Sequence, residues 1–292
     1  MKIAVFDGDR LGLVEGEEVV DITGTLDLRP GRGGPLLAFL DAGGTSADLA
    51  ALDTTALPRR PLAGVRLEAP LRRPGKVVGA PVNYVDHQLE MDEQRTIAEY
   101  GVFLKAPSSV SGPGEAVRLP YTDRRTDHEG ELGIVIGSFA ADVGVAEALD
   151  HVLGYVPVLD ITVRSTEDRS TRKSFRTFTP LGPWVTTAEE VGDADALELR
   201  CSVNGTLRQH ASTADLIYSV AELVSYASHV MDLEPGDVIA TGTPAGVGPL
   251  ADGDELTLEI ERLGRLTVPV TAAGAVPYAR RPVPAGLTRT EG

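Results

Sequence analysis

Apolar residues in this chain come in short runs broken by turn-forming residues. "KVVGA", "GVFLKA", "ELGIVIG", "GYVPVLDIT", "LELRCSVNG", "DVIATG" and "ELTLEIERLGRLTVPV" carry β-branched or alternating apolar residues and predict strands. Asn204-Gly205 predicts a two-residue hairpin turn, because both residues accept the positive φ that such a turn needs. Two stretches have helical spacing. "VAEALDHVLG" predicts a helix stopped at Gly154, and "DLIYSVAELVSYASHVM" puts Leu216, Val220, Leu223, Val224, Ala227 and Val230 on one face. Strands and helices do not alternate, so the pattern predicts an α+β, β-dominated domain rather than a βαβ one.

The first part reads differently. In residues 1–67, "KIAVF", "RLGLVEG" and "EEVVDIT" predict short strands joined by Asp/Gly turns, and "PLLAFLDAG" predicts a short helix. "TALPRRPLAG" is Pro-rich and reads as a link. The expected division is a small N-terminal α/β domain over residues 1–67 and a larger domain over residues 68–292.

Composition narrows the function classes. Hydrophobic residues make up 42% and charged residues 24%, as in ordinary globular proteins. No run of about 18 apolar residues predicts a membrane span, and the N-terminus does not read as a signal peptide. With one cysteine, Cys201, there is no internal disulfide and no cysteine-based zinc site. A cytoplasmic protein is expected. The formal charge of −16 disfavours nucleic acid and anionic lipid as partners. A small anionic substrate stays open, because a metal ion or local cations reverse the field in one cleft. The basic residues are nearly all arginine; Lys2, Lys76, Lys105 and Lys173 are the lysines. A retained lysine hints that a compact ammonium is wanted there.

The chemistry starts at "TDHEGELGIVIG". Side chains two apart in a strand share a face, so Glu129 and Glu131 lie together while Leu132, Ile134 and Ile136 face the other way. Either this strand end is solvated, or a divalent cation sits between the two carboxylates. Oxygen ligands without Cys or His suit Mg²⁺, Mn²⁺ or Ca²⁺ rather than zinc. Asp160, after the apolar run "YVPVL", is a candidate third ligand, and Arg164 could pair with it or hold an anionic substrate. In "NYVDHQLEMDEQ", His87 and Glu90 would share a helical face as a base and its orienting carboxylate, or as a plain surface pair. The turn from Thr241 to Gly248 offers hydroxyls and N–H groups to an anion. Lys173 lies in a basic, Ser/Thr-rich stretch that otherwise reads as a solvated charge run.

Taken in order, "NYVDH..E", "FLKAPSSVSGPG", "DHEGELGIVIG", "GYVPVLDITVR", "RKSF.TFTPLGPW", "VNG", "LEPGDVIATGTPAGVG" and "GDELTLEIERLGRL" resemble the fumarylacetoacetate hydrolase family. The match runs colinearly over about residues 70 to 270, and the N-terminal unit is similar to the small domain many members carry. The resemblance implies a mixed β-sheet roll, a homodimer, and Mg²⁺ or Mn²⁺ held by Glu129, Glu131 and Asp160. It implies a His87–Glu90 dyad on a lid segment, Lys173 as a stabiliser of negative charge, and Thr243, Arg164, Tyr84 and Glu167 at the substrate.

The chemistry implied is hydrolysis of a C–C bond in a 2,4-dioxo acid such as an acylpyruvate. The metal stabilises an enolate, and His87 activates water. The same scaffold also suits decarboxylation or isomerisation of an unsaturated 2-oxo diacid, or a silent ligand-binding protein. The chain departs from the family pattern at His128, where Tyr is common, and at Gly130, where a bulkier residue is usual. It departs again at Ser165, Glu167 and Arg176, and Glu167 with Arg176 reads as a charge-swapped pair.

Overall fold

The computed structural model describes residues 1–29 and 31–282. An eleven-stranded mixed sheet runs through it. Its order is Arg59–Pro61, Glu18–Asp21, Arg10–Glu15, Lys2–Phe6, Val185–Thr187, Val152–Leu159, Gly130–Ile136, Val238–Ala240, Val77–Gly79 and Phe103–Lys105, with Leu67–Glu68 also on Lys2–Phe6. Neighbours are antiparallel except Val238–Ala240 with Val77–Gly79. Strands from the first 67 residues thus join the same sheet as the rest, through Lys2 opposite Thr186.

A second sheet stacks Thr206–Ser212, Glu198–Val203, Glu255–Ile260, Gly264–Thr271 and Val117–Arg118. Leu132, Ile134 and Ile136 pack with Leu199, Leu258 and Leu266 in the core that joins the two sheets. On the other face, Val135, Val156 and Val158 pack with Leu36, Phe39 and Leu40 of the helix Pro35–Asp41. Gly130–Ile136 is therefore buried on both faces along its length. A solvated end for this strand is excluded: Glu129 is 5% and Glu131 3% exposed.

Every strand run quoted above forms, and the Asn204-Gly205 turn has the expected positive φ values of 51° and 74°. Three expectations fail. No α-helix forms over "VAEALDHVLG"; a single 3₁₀ turn at Ala148–His151 leads directly into the strand Val152–Leu159. Gly154 is not a helix stop. A Cβ there would run into the backbone of Thr186 on the neighbouring strand, so the glycine permits close strand approach.

The second helix spans Val220–Val230 and not the earlier residues, because Ser219 and Glu222 form a capping box that starts it there. Leu216 instead bridges to Tyr84, and Val230 is 55% exposed. Arg59–Pro61, inside the presumed link, is an edge strand paired with Glu18–Asp21. Among the described residues, no helix is long and apolar enough to cross a membrane.

Candidate active site

The strand register assembles three carboxylates. Gly130 lies opposite Leu159, which puts Glu129 beside Asp160, and Asp160 N donates to Glu129 O at 2.8 Å. Glu131 follows on the same face. One oxygen from each of Glu129, Glu131 and Asp160 falls within 4.8 Å of the others, and all three residues are buried. Oxygens that share a Mg²⁺-sized cation are about 3.0 Å apart when adjacent and about 4.2 Å when opposite, so the three carboxylates would draw together to hold one. The donors are hard carboxylates with no thiol or imidazole in the cluster, which fits a hard divalent cation.

Buried carboxylates need partners, and here they are cations. Lys173 Nζ donates to Glu129 Oε2 and Asp160 Oδ2, both at 2.6 Å. Lys105 Nζ donates to Asp160 Oδ1 at 2.5 Å and to Phe178 O at 2.7 Å. Arg164 does not pair with Asp160; it bonds Asp127 Oδ2 at 2.6 Å and Glu129 Oε1 at 2.9 Å. Burial alone would raise the Glu129 carboxyl, but Lys173 and Arg164 outweigh it and hold it well below its ordinary range. Glu131 has one such bond, from Gly242 N at 2.9 Å. Burial, with Asp160 beside it, pushes its carboxyl well above the ordinary value. Glu131 is thus the least compensated of the three, and it gains most from a cation between them.

Over this cluster lies the helix Val85–Met91, which carries His87 and Glu90 on one face. Glu90 Oε2 is 3.1 Å from His87 Nδ1, and Glu90 Oε1 accepts from Gly246 N at 3.0 Å. His87 is 7% exposed, so its imidazole is buried although Glu90, its partner, reaches solvent. In the Thr241–Gly248 turn, Gly242 N and Gly246 N donate to the protein's own Glu131 and Glu90 carboxyl groups.

A cavity of about 220 Å³ gathers His87, Glu129, Glu131, Asp160, Arg164, Lys173 and Thr243, with Met91, Glu93, Phe103, Arg169 and Arg172 also in its wall. Two expected residues lie elsewhere. Tyr84, which precedes the helix Val85–Met91, is fully buried and does not line the cavity. Glu167 is outside the wall as well; it pairs with Arg281 and accepts from the Tyr278 hydroxyl. The proposed Glu167–Arg176 pair is therefore not formed, and Arg176 is exposed.

Three residues escaped the sequence reading. Lys105 has already appeared, and the scarcity of lysine was its signal. Asp127, fully buried, is clamped between Arg125 and Arg164 and fixes the Arg164 guanidinium. Gln209 accepts from Gly130 N at 2.9 Å and donates to Thr243 Oγ1 at 2.7 Å and Pro244 O at 2.8 Å. Thr243 in turn donates to Gly130 O at 3.0 Å. Both polar backbone atoms of the residue between the glutamates are thereby held. Nothing in the local sequence marks Gln209, which sits on a hairpin strand of the second sheet.

Comparison with known proteins agrees with this geometry. The family model described as fumarylacetoacetate (FAA) hydrolase C-terminal matches residues 76–271. The chain is 44% identical over 289 residues to a maleylpyruvate hydrolase of Aquipseudomonas alcaligenes, covering 92% of this chain and 99% of that protein. It is similar to the crystal structure of maleylpyruvate hydrolase from Sphingobium sp. SYK-6 in complex with manganese(II) ion and pyruvate. That match has 40% identity and a TM-score of 0.83, covering 93% of this chain and 99% of that one. A 2-hydroxyhepta-2,4-diene-1,7-dioate isomerase from Mycobacterium marinum superposes at 34% identity with a TM-score of 0.74, over 93% and 98% of the two chains. With a family model matching residues 76–271 and a relative 44% identical over 92% of its length, the chain belongs to the fumarylacetoacetate hydrolase family.

Proposed function

We propose that this protein is a divalent-metal-dependent hydrolase that cleaves the C3–C4 bond of a 2,4-dioxo acid of the acylpyruvate type, giving pyruvate and a carboxylic acid. The observation that carries this reading is the shared cavity, in which the Glu129–Glu131–Asp160 cluster and the His87–Glu90 pair face one space. The relative whose structure holds manganese(II) and pyruvate supports it.

A divalent cation held by the three carboxylates supplies, when bound, Lewis-acid stabilisation of negative charge on the oxygens of the 2-oxo acid. Mn²⁺ or Mg²⁺ suits the all-oxygen donor set. The protein's own groups do the rest. Glu90 accepts from the Nδ1–H of His87, which leaves Nε2 free as the base. His87 takes a proton from water as the water oxygen bonds to the C4 carbonyl carbon. The C3–C4 bond then breaks, its electron pair stays with the pyruvate fragment, and C3 takes up a proton. Lys173 has one N–H beyond the two that Glu129 and Asp160 hold, and it can serve negative charge developing on the substrate. Arg164 and Thr243 bound the same cavity and complete the substrate site.

An isomerase relative with the same fold makes double-bond migration the second reading. The paired His87 and Glu90 can move a proton in either reaction; the 44% identity to the hydrolase, against 34% to the isomerase, favours hydrolysis. The buried Glu129–Glu131–Asp160 cluster and the His87–Glu90 pair also argue against a silent binding protein. A homodimer fits the reading: Leu89 of the lid helix is 73% exposed and Val85 56%, apolar surface that a second copy would cover.

The test is loss of the ultraviolet enol band of a short acylpyruvate with Mn²⁺ and again with EDTA, in water enriched in heavy oxygen. Metal-dependent loss, with pyruvate formed and label in the released acid, is expected. Metal-dependent conversion without label would move the assignment to isomerisation or decarboxylation.

A further inference from the structure

The short helix Arg169–Arg172 carries two arginines that the reaction does not use. They are one turn apart, so they share a face, and both line the cavity. The other cations of the wall are spoken for: Arg164 by Asp127 and Glu129, Lys173 by Glu129 and Asp160. Arg169 and Arg172 have no carboxylate partner among the described residues. Arg169 rests on the ring of Tyr100, 4.0 Å from its centre. The Arg172 Nε is buried and has no hydrogen-bond partner. Burial, reinforced by the neighbouring Arg164 charge, works against the Arg172 guanidinium, and the charges of Glu129 and Asp160 offset this only in part. In a chain of net charge −16, two guanidinium groups in one cavity with no carboxylate in contact call for an anion.

That anion is not the 2-oxo carboxylate. The metal cluster and Lys173 already provide for the reacting end of the substrate. A second acidic group at the far end of the molecule matches the unused donors, and the planar guanidinium fork suits a carboxylate. We propose that Arg172, with Arg169 beside it, binds a distal carboxylate of the substrate and selects 2-oxo acids with an anionic far end over those with an uncharged one. This rests on the reading that the cavity binds a 2-oxo acid, but not on any particular bond being cleaved.

The experiment is calorimetric titration of the Mn²⁺-loaded protein with 2-oxoadipate and with 2-oxohexanoate. The two have equal chain length and differ only in a terminal carboxylate or methyl. The dioate is expected to bind roughly ten- to hundredfold more tightly. Arg172→Gln should collapse that preference to below about threefold by weakening the dioate alone, and Arg172→Lys should keep part of it. Thermal melting of each variant establishes that it is folded.

No preference in the wild type, a preference that survives Arg172→Gln, or equal weakening of both acids would each overturn the proposal. So would failure of both acids to bind. Hydrolysis is assayed separately: a protein that prefers the dioate yet cleaves no acylpyruvate would keep this inference and lose the hydrolase reading.

Discussion

Lys105 and Asp160 form a buried ion pair in which the ammonium lies 2.5 Å from Oδ1, with Lys105 and Asp160 each about 1% exposed. Burial lowers the proton affinity of Lys105, and Asp160 opposes that by its charge. Removing one partner of such a pair leaves the other buried and uncompensated, at a cost of about 3–5 kcal/mol. Lys173 still holds Asp160 at Oδ2, so Lys105→Met should destabilise the metal-free protein by less than that, and Mn²⁺ should recover part of the loss by supplying positive charge at the same carboxylate. Denaturant unfolding with EDTA and with Mn²⁺ checks both. Wild-type stability in EDTA would show that the pair contributes nothing net.

Asp160→Asn keeps the shape of the side chain but removes a charge that two ammonium groups share. Mn²⁺ binding measured by calorimetry should be lost, and hydrolysis with it. Full activity in this variant would remove the three-carboxylate site from the mechanism.

His87→Ala leaves all three carboxylates in place, so Mn²⁺ affinity should change little. The rate of hydrolysis should fall by roughly 10²–10⁴, the usual contribution of a positioned base. Glu90→Gln, which keeps the lid contact to Gly246 but orients the imidazole poorly, should cost less. An unchanged rate in His87→Ala would assign the base elsewhere.

Metal binding should depend on pH through Glu131, whose carboxyl burial raises above its ordinary value of 4.5. Between that value and the raised one, the folded metal-free protein holds a proton that the unfolded chain has lost. The contribution of Glu131 to stability is thus present at low pH and is lost as pH rises through the window. Mn²⁺ must displace the same proton, so its affinity should climb with pH across the window and its binding should release up to one proton. Glu129 has the opposite sign. Its stabilisation is present above 4.5 and is lost as pH falls toward its lowered value. Titrations in two buffers of different ionisation enthalpy count the released protons; a count of zero where Glu131 is protonated would contradict this account.

Gly130→Ala tests the packing behind the glutamates. A Cβ at Gly130 would sit 2.9 Å from Leu258 Cδ1, 3.1 Å from Cys201 Cβ and 3.3 Å from Gln209 Oε1. Overpacking of this kind costs about 1–3 kcal/mol. The strain should also shift Glu129 and Glu131 and weaken Mn²⁺ binding, as read by melting and calorimetry. Wild-type behaviour in both would mean that the second sheet yields without cost.

Much of this protein was legible in residue order alone. Strand runs, the Asn204-Gly205 turn and the helix Pro35–Asp41 follow from local sterics and periodicity, which short segments carry by themselves. The pairing of Glu129 with Glu131 on one face follows from the same two-residue period. The helix expected over "VAEALDHVLG" shows the limit. Its apolar residues suit helix or strand, and pairing with Gly130–Ile136 on one side and Val185–Thr187 on the other decided for a strand at Val152–Leu159. Only the tertiary structure placed Asp160 beside Glu129, since antiparallel register is a long-range property. It alone gave Arg164 to Asp127 and Glu129, and Glu167 to Arg281 rather than Arg176. It alone brought Lys105, Gln209 and Arg172 to the site from three distant segments. A sequence lists which charges exist, but burial and through-space distance decide which of them are paired and which wait for a ligand.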